Sequence, residues 1–256
     1  MTDAAASRWL HRYAPRARAA VTLLCLPPAG SSAAVYARWT DRLPADIEVA
    51  AVEYPGRGAR RREASFVRLH RLVAAMLAAI APTLGRPFAV FGHSLGGLVA
   101  FELVRHLARA RGPAPLGLYV AGCAAPMLGP SKPPLFSAAE PDFVEALRDL
   151  NGTEEAWLRD ETVMRLFLPS LRADFEMTDT YVYEPGQPLR CPVTLIGGDS
   201  DRHTPLASLA GWKSLSVAPV ETRLYPGDHF FLRTAEAAIV HDLGMHLQET
   251  LAGAIR

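Results

Sequence analysis

Between an apolar run, Phe88-Ala89-Val90-Phe91, and an amphipathic stretch over residues 95–110 lies Gly92-His93-Ser94-Leu95-Gly96. A G-x-S-x-G sequence at a strand-to-helix junction is the pattern of a nucleophile elbow, a sharp turn that lifts a serine clear of a sheet at the start of a helix. It constrains the fold strongly. A buried strand must precede the serine, a helix must follow it, and Gly92 and Gly96 stand where side chains would clash. Ser94 then sits where helix N–H groups favour developing negative charge. The alternative is a glycine-rich turn whose serine only caps the helix; the flanking strand and helix favour the nucleophile.

The rest of the chain repeats this alternation. Strand-like runs at 21–26, 48–53, 116–121, 191–196 and 221–224 accompany the one at 88–91, and helix-like stretches are expected at 33–43, 66–84, 95–110 and 234–251. Over 66–84, Phe66, Leu69, Val73, Met76, Leu77, Ile80 and Leu84 recur at spacings that build one apolar stripe. Continuously apolar strands separated by helices predict an α/β fold, a mostly parallel central sheet with helices on both faces. Over 127–184 no strand signal occurs. Short helices are expected at 141–150, 154–158 and 161–174, with Pro141 in a first turn, Thr153 and Asp160 as N-caps and Asn151-Gly152 as a stop. This insertion reads as a helical lid over the site. One domain over 1–256 with that insertion accounts for 256 residues, half of them hydrophobic.

A formal net charge of +1 provides no global field for nucleic acid or a membrane surface. Arginines do cluster, as Arg8, Arg12, Arg16 and Arg18 and then as Arg57, Arg60, Arg61 and Arg62. They are read as solvated groups, with contact to an acidic partner or a phosphate as the functional alternative. Cys25, Cys123 and Cys191 lie in or beside apolar runs without metal-type spacing. They are expected as small buried hydrophobes in a reducing, cytoplasmic setting. No run of about 18 apolar residues is present, so no membrane span is expected. The N-terminus is basic and then apolar from Ala19 to Leu26; that short run ends in Pro27-Pro28-Ala29-Gly30 and reads as a strand and loop, not a signal peptide.

A serine hydroxyl needs a positioned base, and α/β hydrolases supply serine, acid and histidine in that order along the chain. His229, in Pro226-Gly227-Asp228-His229-Phe230-Phe231, follows the last strand and is the expected base. His93 lies inside the elbow and points elsewhere; His70, His241 and His246 lie on helices; His203 is the remaining rival. Asp201, after the strand at 191–196, is the preferred acid, to orient the imidazole and stabilise its charged form, with Asp199 as competitor. The oxyanion donors are expected to be the N–H groups of Leu95 and Ala29. Pro27 and Pro28 have none to give.

These segments together resemble the type II thioesterases that accompany modular polyketide and nonribosomal peptide synthases. Leu26-Pro27-Pro28-Ala29-Gly30 is similar to that family's oxyanion loop, and Tyr54-Pro55-Gly56-Arg57, the elbow, Leu171-Arg172-Ala173-Asp174-Phe175 and Gly227-Asp228-His229-Phe230-Phe231 match its other motifs in order. Two departures stand out: Pro28 replaces the usual histidine and Ser31 a glycine. The resemblance implies an α/β-hydrolase fold and a Ser94–His229–Asp201 acyl-enzyme mechanism. It implies hydrolysis of acyl groups from the phosphopantetheine arm of acyl or peptidyl carrier proteins, clearing stalled chains. No metal or diffusible cofactor, no nucleic acid and no membrane enter this reading, and a monomer is expected. Met127, Phe136, Phe143, Leu147, Met164, Phe167 and Met177 are candidates for an acyl channel, with plain core as the alternative. Arg60 to Arg62 are candidates for meeting an acidic carrier protein. An oxygen-ester hydrolase, a cyclising thioesterase and a non-catalytic carrier-binding protein stay open as rivals; the second is disfavoured because the chain begins almost directly at the hydrolase core.

Overall fold

The computed structural model describes residues 2–130 and 133–254. Within them seven strands make one sheet, ordered β1-β3-β2-β4-β5-β6-β7. The strands are β1 (Leu10–His11), β2 (Val21–Leu26), β3 (Ile47–Val52), β4 (Phe88–His93), β5 (Leu118–Ala121), β6 (Val193–Gly198) and β7 (Val220–Tyr225). Only β1 runs antiparallel to its neighbour, β3; the other five pairings are parallel. The helices are α1 (Thr2–Trp9), α2 (Trp39–Arg42), α3 (Leu69–Ile80), α4 (Leu95–Arg109), α5 (Glu140–Leu150), α6 (Glu155–Leu158), α7 (Glu161–Asp179), α8 (Leu206–Leu209) and α9 (Glu236–Ala254). Among the described residues no helix is long and apolar enough to cross a membrane.

β4 shows why the strands read as unbroken apolar runs. Phe88 and Val90 enter a core shared with α3 and α4, while Ala89 and Phe91 enter a second core shared with α2 and α9. Side chains alternate across a strand, and here both faces are covered, so neither set is polar. Parallel strands also place every carboxyl end on one side. The loops after β2, β4, β6 and β7 therefore converge there, where open parallel sheets bind ligands.

Helices α5 to α7 lie between β5 and β6, in the stretch read as an insertion. Phe143, Leu147, Leu158, Met164, Leu168 and Leu171 give α5 to α7 a small core of their own. Pro141 lies in the first turn of α5, Asn151 ends it in the left-handed conformation (φ 56°), and Asp160 caps α7 by accepting from the Thr162 and Val163 N–H groups. Thr153 does not cap α6; Glu154 holds that position, with no side-chain bond. α7 continues five residues past the expected end. Its buried stripe runs on through Leu171, Asp174 and Met177, and a buried aspartate is what hid that stripe from an apolar pattern.

Other boundaries move for local reasons. The stretch 33–43 is a 3₁₀ turn, Ala33–Tyr36, followed by short α2. α3 begins three residues later than expected and gives way to a 3₁₀ turn at Pro82, since proline has no N–H with which to continue the helical ladder. α1 and β1 carried no sequence signal, because β1 exists only by pairing with Val52 and Ala51 some forty residues away.

The arginines are not uniformly solvated. Arg16 Nη1 donates to the Leu43, Pro44 and Ile47 carbonyls at 3.2, 2.5 and 2.7 Å. Arg60 is buried over the Trp9 ring and bonded to Glu63 at 2.7 Å, and Arg57 is buried against Asp174. Arg57 and Arg60 are thus unavailable to a partner, whereas Arg61 and Arg62 are exposed. Cys25 and Cys191 are buried and Cys123 half-buried, all as free thiols. Burial pushes the Cys123 thiol up to about 12 and Cys191 up to about 11, so neither carries thiolate character at neutral pH.

Candidate active site

The chain leaves β4 at Ser94 with φ 53° and ψ −118°, an unfavourable conformation for any residue with a Cβ. The surroundings hold it there. The Ser94 N–H donates to the Ala121 carbonyl (2.8 Å), and its own carbonyl accepts from the Gly97 and Leu98 N–H groups (2.8 and 3.3 Å). A Cβ on Gly92 would lie 2.1 Å from the Gly96 carbonyl oxygen, and one on Gly96 would lie 2.1 Å from that of Leu26. Backbone cannot step aside as a side chain can. Gly96→Ala is therefore expected to cost roughly 3 kcal/mol of stability, read as a lowered denaturant midpoint at unchanged slope.

His229 stands over the elbow from the loop after β7. Its Nδ1 lies 2.9 Å from Asp201 Oδ2 and its Nε2 lies 3.1 Å from Ser94 Oγ. A carboxylate only accepts, so Nδ1 carries the proton and Nε2 is left to accept from the serine hydroxyl. Asp201 is anchored on its other oxygen, Oδ1, by the His203 and Thr204 N–H groups at 2.8 and 2.9 Å. Burial opposes the charge on Asp201, but the His229 bond and these N–H groups outweigh it and hold the carboxyl below its ordinary value.

The competitors have other employment. Asp199 Oδ1 accepts from the Gly227 N–H at 3.1 Å and from Ser200 Oγ at 2.9 Å, bracing the loop that carries His229. His203 Nε2 faces the Asp149 carbonyl at 3.3 Å. His93 points beneath the site, and its Nε2 donates to the His229 carbonyl at 3.0 Å. Burial, and next the neighbouring His229, push His93 down to about 3, so it stays neutral and serves as a prop for the histidine loop.

Most backbone N–H groups beside Ser94 in the loop after β2 are already engaged. In the loop after β2 the Ser31 N–H donates to the Pro28 carbonyl at 3.1 Å and the Gly30 N–H to Asp174 Oδ2 at 2.8 Å. Ala29 keeps its N–H uncommitted among the described residues, as does Leu95 at the first position of α4. Both residues line the same cavity as Ser94 and His229.

A strained serine, a base on its hydroxyl, an acid on the base and two free N–H groups form an acyl-transfer site. The family model of the thioesterase domain matches residues 21–245 of this chain. The chain belongs to the thioesterase family. This thioesterase is 39% identical over 244 residues to thioesterase PikA5 of Streptomyces venezuelae, covering 94% of this chain and 86% of that protein. It is 33% identical over 246 residues to the gramicidin S biosynthesis protein GrsT of Aneurinibacillus migulanus, covering 96% of each. Its structure is similar to that of the type II thioesterase BorB from the borrelidin biosynthetic cluster, with a TM-score of 0.85, 32% identity and coverage of 95% of this chain and 98% of that one. The thioesterase is a serine-dependent thioester hydrolase with the α/β-hydrolase fold.

Two cavities meet at its Ser94. One, of about 250 Å³, runs under the insertion between Leu147, Trp157, Met164, Phe167 and Phe230. The other, of about 670 Å³, is more open and passes Cys123, Leu135, Phe175, Arg202 and His203. Of the seven channel candidates Leu147, Met164 and Phe167 line the first cavity, whereas Phe143 and Met177 are core. Trp157, Phe175 and Phe230 line the cavities without having been signalled, since their helical or loop positions show no periodicity that separates lining from packing. The insertion is also tied to the histidine loop. Asn151 Nδ2 donates to Asp228 Oδ2 at 2.8 Å, Arg233 Nη1 to the Asn151 carbonyl at 3.2 Å, and a Cβ on Gly152 would lie 2.3 Å from the Phe230 ring.

Proposed function

We propose that this thioesterase hydrolyses acyl thioesters borne on the phosphopantetheine arm of acyl or peptidyl carrier proteins, clearing stalled or aberrant chains from a polyketide or nonribosomal peptide synthase. One observation carries the reading: Ser94 stands at the junction of two cavities of unequal character. A carrier-borne thioester has the same form, with an acyl chain on one side of the reacting carbonyl and a long arm on the other. The narrower cavity beneath Trp157, Met164 and Phe167 suits the chain, and the more open one beside Arg202 and His203 suits the arm. The part that relatives' names give to gramicidin S and borrelidin biosynthesis supports a place beside such a synthase.

In this reading Ser94 Oγ attacks the thioester carbonyl and gives its proton to His229 Nε2. The Ala29 and Leu95 N–H groups receive the oxyanion. The C–S bond breaks, the pantetheine thiolate leaves with the proton from His229, and an acyl-serine forms. Water then gives a proton to His229, attacks the acyl carbon, and Ser94 recovers its proton as the acid departs. Asp201 keeps the imidazole oriented and compensates its transient charge. Serine, histidine and aspartate suffice for both steps, so no metal ion or diffusible cofactor enters the scheme, and phosphopantetheine arrives with the substrate.

The test is a panel of acyl chains loaded on a carrier protein and followed by intact mass. Return of the carrier to its unacylated mass, with matched oxygen esters of the same acyl groups turned over more slowly, is the expected result. Carriers that keep their acyl mass, or faster turnover of the oxygen esters, would remove the proposal.

A further inference from the structure

The oxyanion loop is held by the helical insertion. Ser31 N–H to Pro28 carbonyl at 3.1 Å closes a four-residue turn over 28–31, with Gly30 third in it at φ 73°. A positive φ at that position is the mark of a type II turn, whose central peptide faces the opposite way from that of type I. The central peptide here is Ala29–Gly30, and its N–H donates to Asp174 Oδ2 at 2.8 Å, across 144 residues of sequence. Asp174 lies on α7, fully buried, and its other oxygen is gripped by buried Arg57 from the loop after β3. Leu171, one turn earlier on α7, occupies the space beside Gly30, where a Cβ would lie 2.5 Å from Leu171 Cδ2. α7 thus presents both a carboxylate and a methyl group to this one peptide.

We propose that Asp174 is a positioning residue for catalysis. Clamped by Arg57, it selects the orientation of the Ala29–Gly30 peptide and so aims the neighbouring Ala29 N–H at the oxyanion. The Ser31-to-Pro28 bond fixes the Pro28–Ala29 peptide that carries that N–H, and it survives only while the turn keeps its shape. Competence of the oxyanion site therefore depends on α7 being docked, which couples the insertion to chemistry and not only to substrate enclosure. A buried ion pair adds little stability over apolar residues of similar volume, and Arg57 Nε is buried with no hydrogen-bond partner among the described residues. Geometry, not stability, is what the pair supplies. Pro28 is compatible with this turn: it opens it, where its carbonyl is needed and its missing N–H is not.

The inference rests on the acyl-transfer reading of Ser94, Ala29 and Leu95, and the experiment separates the two. Wild type, Ser94→Ala, Asp174→Asn, Arg57→Lys and the double variant Arg57→Met/Asp174→Leu are assayed on an acyl-N-acetylcysteamine thioester. Affinity is measured alongside for a trifluoromethyl ketone, which forms an oxyanion on Ser94, and for a thioether analogue, which does not. Asp174→Asn is expected to lose roughly ten- to a hundredfold in kcat: the single amide oxygen turns to the Arg57 guanidinium and leaves its NH₂ against the Gly30 N–H, and misplacing a donor costs part of what deleting one does. KM should stay within about threefold, ketone affinity should fall with kcat/KM, and thioether affinity should not move. Arg57→Lys loosens the clamp but keeps the Gly30 acceptor, so it should lose less kcat than Asp174→Asn. The double variant removes both buried charges and the acceptor together, so it should fold and still show the kcat loss. Wild-type kcat in the folded double variant, a loss confined to KM, or equal loss of ketone and thioether affinity would overturn the inference. So would a kcat loss in Arg57→Lys as large as in Asp174→Asn. Turnover by Ser94→Ala would instead overturn the reading beneath it.

Discussion

Ser94→Ala is expected to lower kcat/KM for thioester hydrolysis by about a millionfold, to the residual rate that oxyanion donors and binding alone provide. The size follows from how the group acts. Without the hydroxyl, His229 and Asp201 have nothing to activate, so one substitution forfeits nearly the whole effect of all three, and His229→Ala should fall to a similar level. Stability should barely change. Among the described residues the hydroxyl has one hydrogen-bond partner, His229 Nε2, and alanine meets the same positive φ that serine already tolerates. The measurements are single-turnover hydrolysis, intact mass after a fluorophosphonate, and thermal unfolding. Wild type should gain one phosphonyl mass and the variant none. A cooperatively folded Ser94→Ala enzyme within tenfold of wild-type turnover would end the serine mechanism.

The second large effect separates two aspartates two residues apart. Asp201→Asn is expected to lower kcat by about ten-thousandfold. The amide can turn its NH₂ group toward His229 Nδ1, which forces the imidazole proton onto Nε2, the atom that must accept from Ser94. Asp199→Asn is expected to cost less than about tenfold. Its work is to accept from the Gly227 N–H and Ser200 Oγ, and an amide oxygen accepts as a carboxylate does. A larger loss at Asp199 would reverse the assignment. The pH dependence follows from the same bonds. Because the folded carboxyl of Asp201 sits below its ordinary value of 3.8, its contribution to stability is complete above that ordinary value. It is lost as pH falls through the lower, folded one. Asp201→Asn should therefore flatten the acid end of the stability profile, measured by denaturant unfolding at a series of pH values.

The legibility of this chain varied with the range of the interactions involved. The elbow was readable because strand, serine, glycines and helix are consecutive. His229 and Asp201 were readable because chain order restricts where each partner lies, and each follows an apolar strand. The preference for Asp201 over Asp199 had only spacing behind it; in the structure Asp201 faces His229 Nδ1 and Asp199 faces the Gly227 N–H. Arg57 and Arg60 were misread as solvated because an arginine is buried only when its partners are at hand. Those partners, Asp174, Glu63 and the Trp9 ring, come from distant segments or from side-chain packing. β1 and the last turns of α7 escaped for the same reason.

The sequence by itself determined the α/β alternation, the strained serine and the order of its partners, since these rest on local propensity, glycine geometry and burial of continuous apolar runs. Only the tertiary structure decided which loop N–H groups remain free, how the insertion divides the space at Ser94, and what buries Asp174. Those are properties of groups brought within hydrogen-bonding distance by folding, and hydrogen bonds and cavity walls act over a few ångströms of space regardless of separation along the chain.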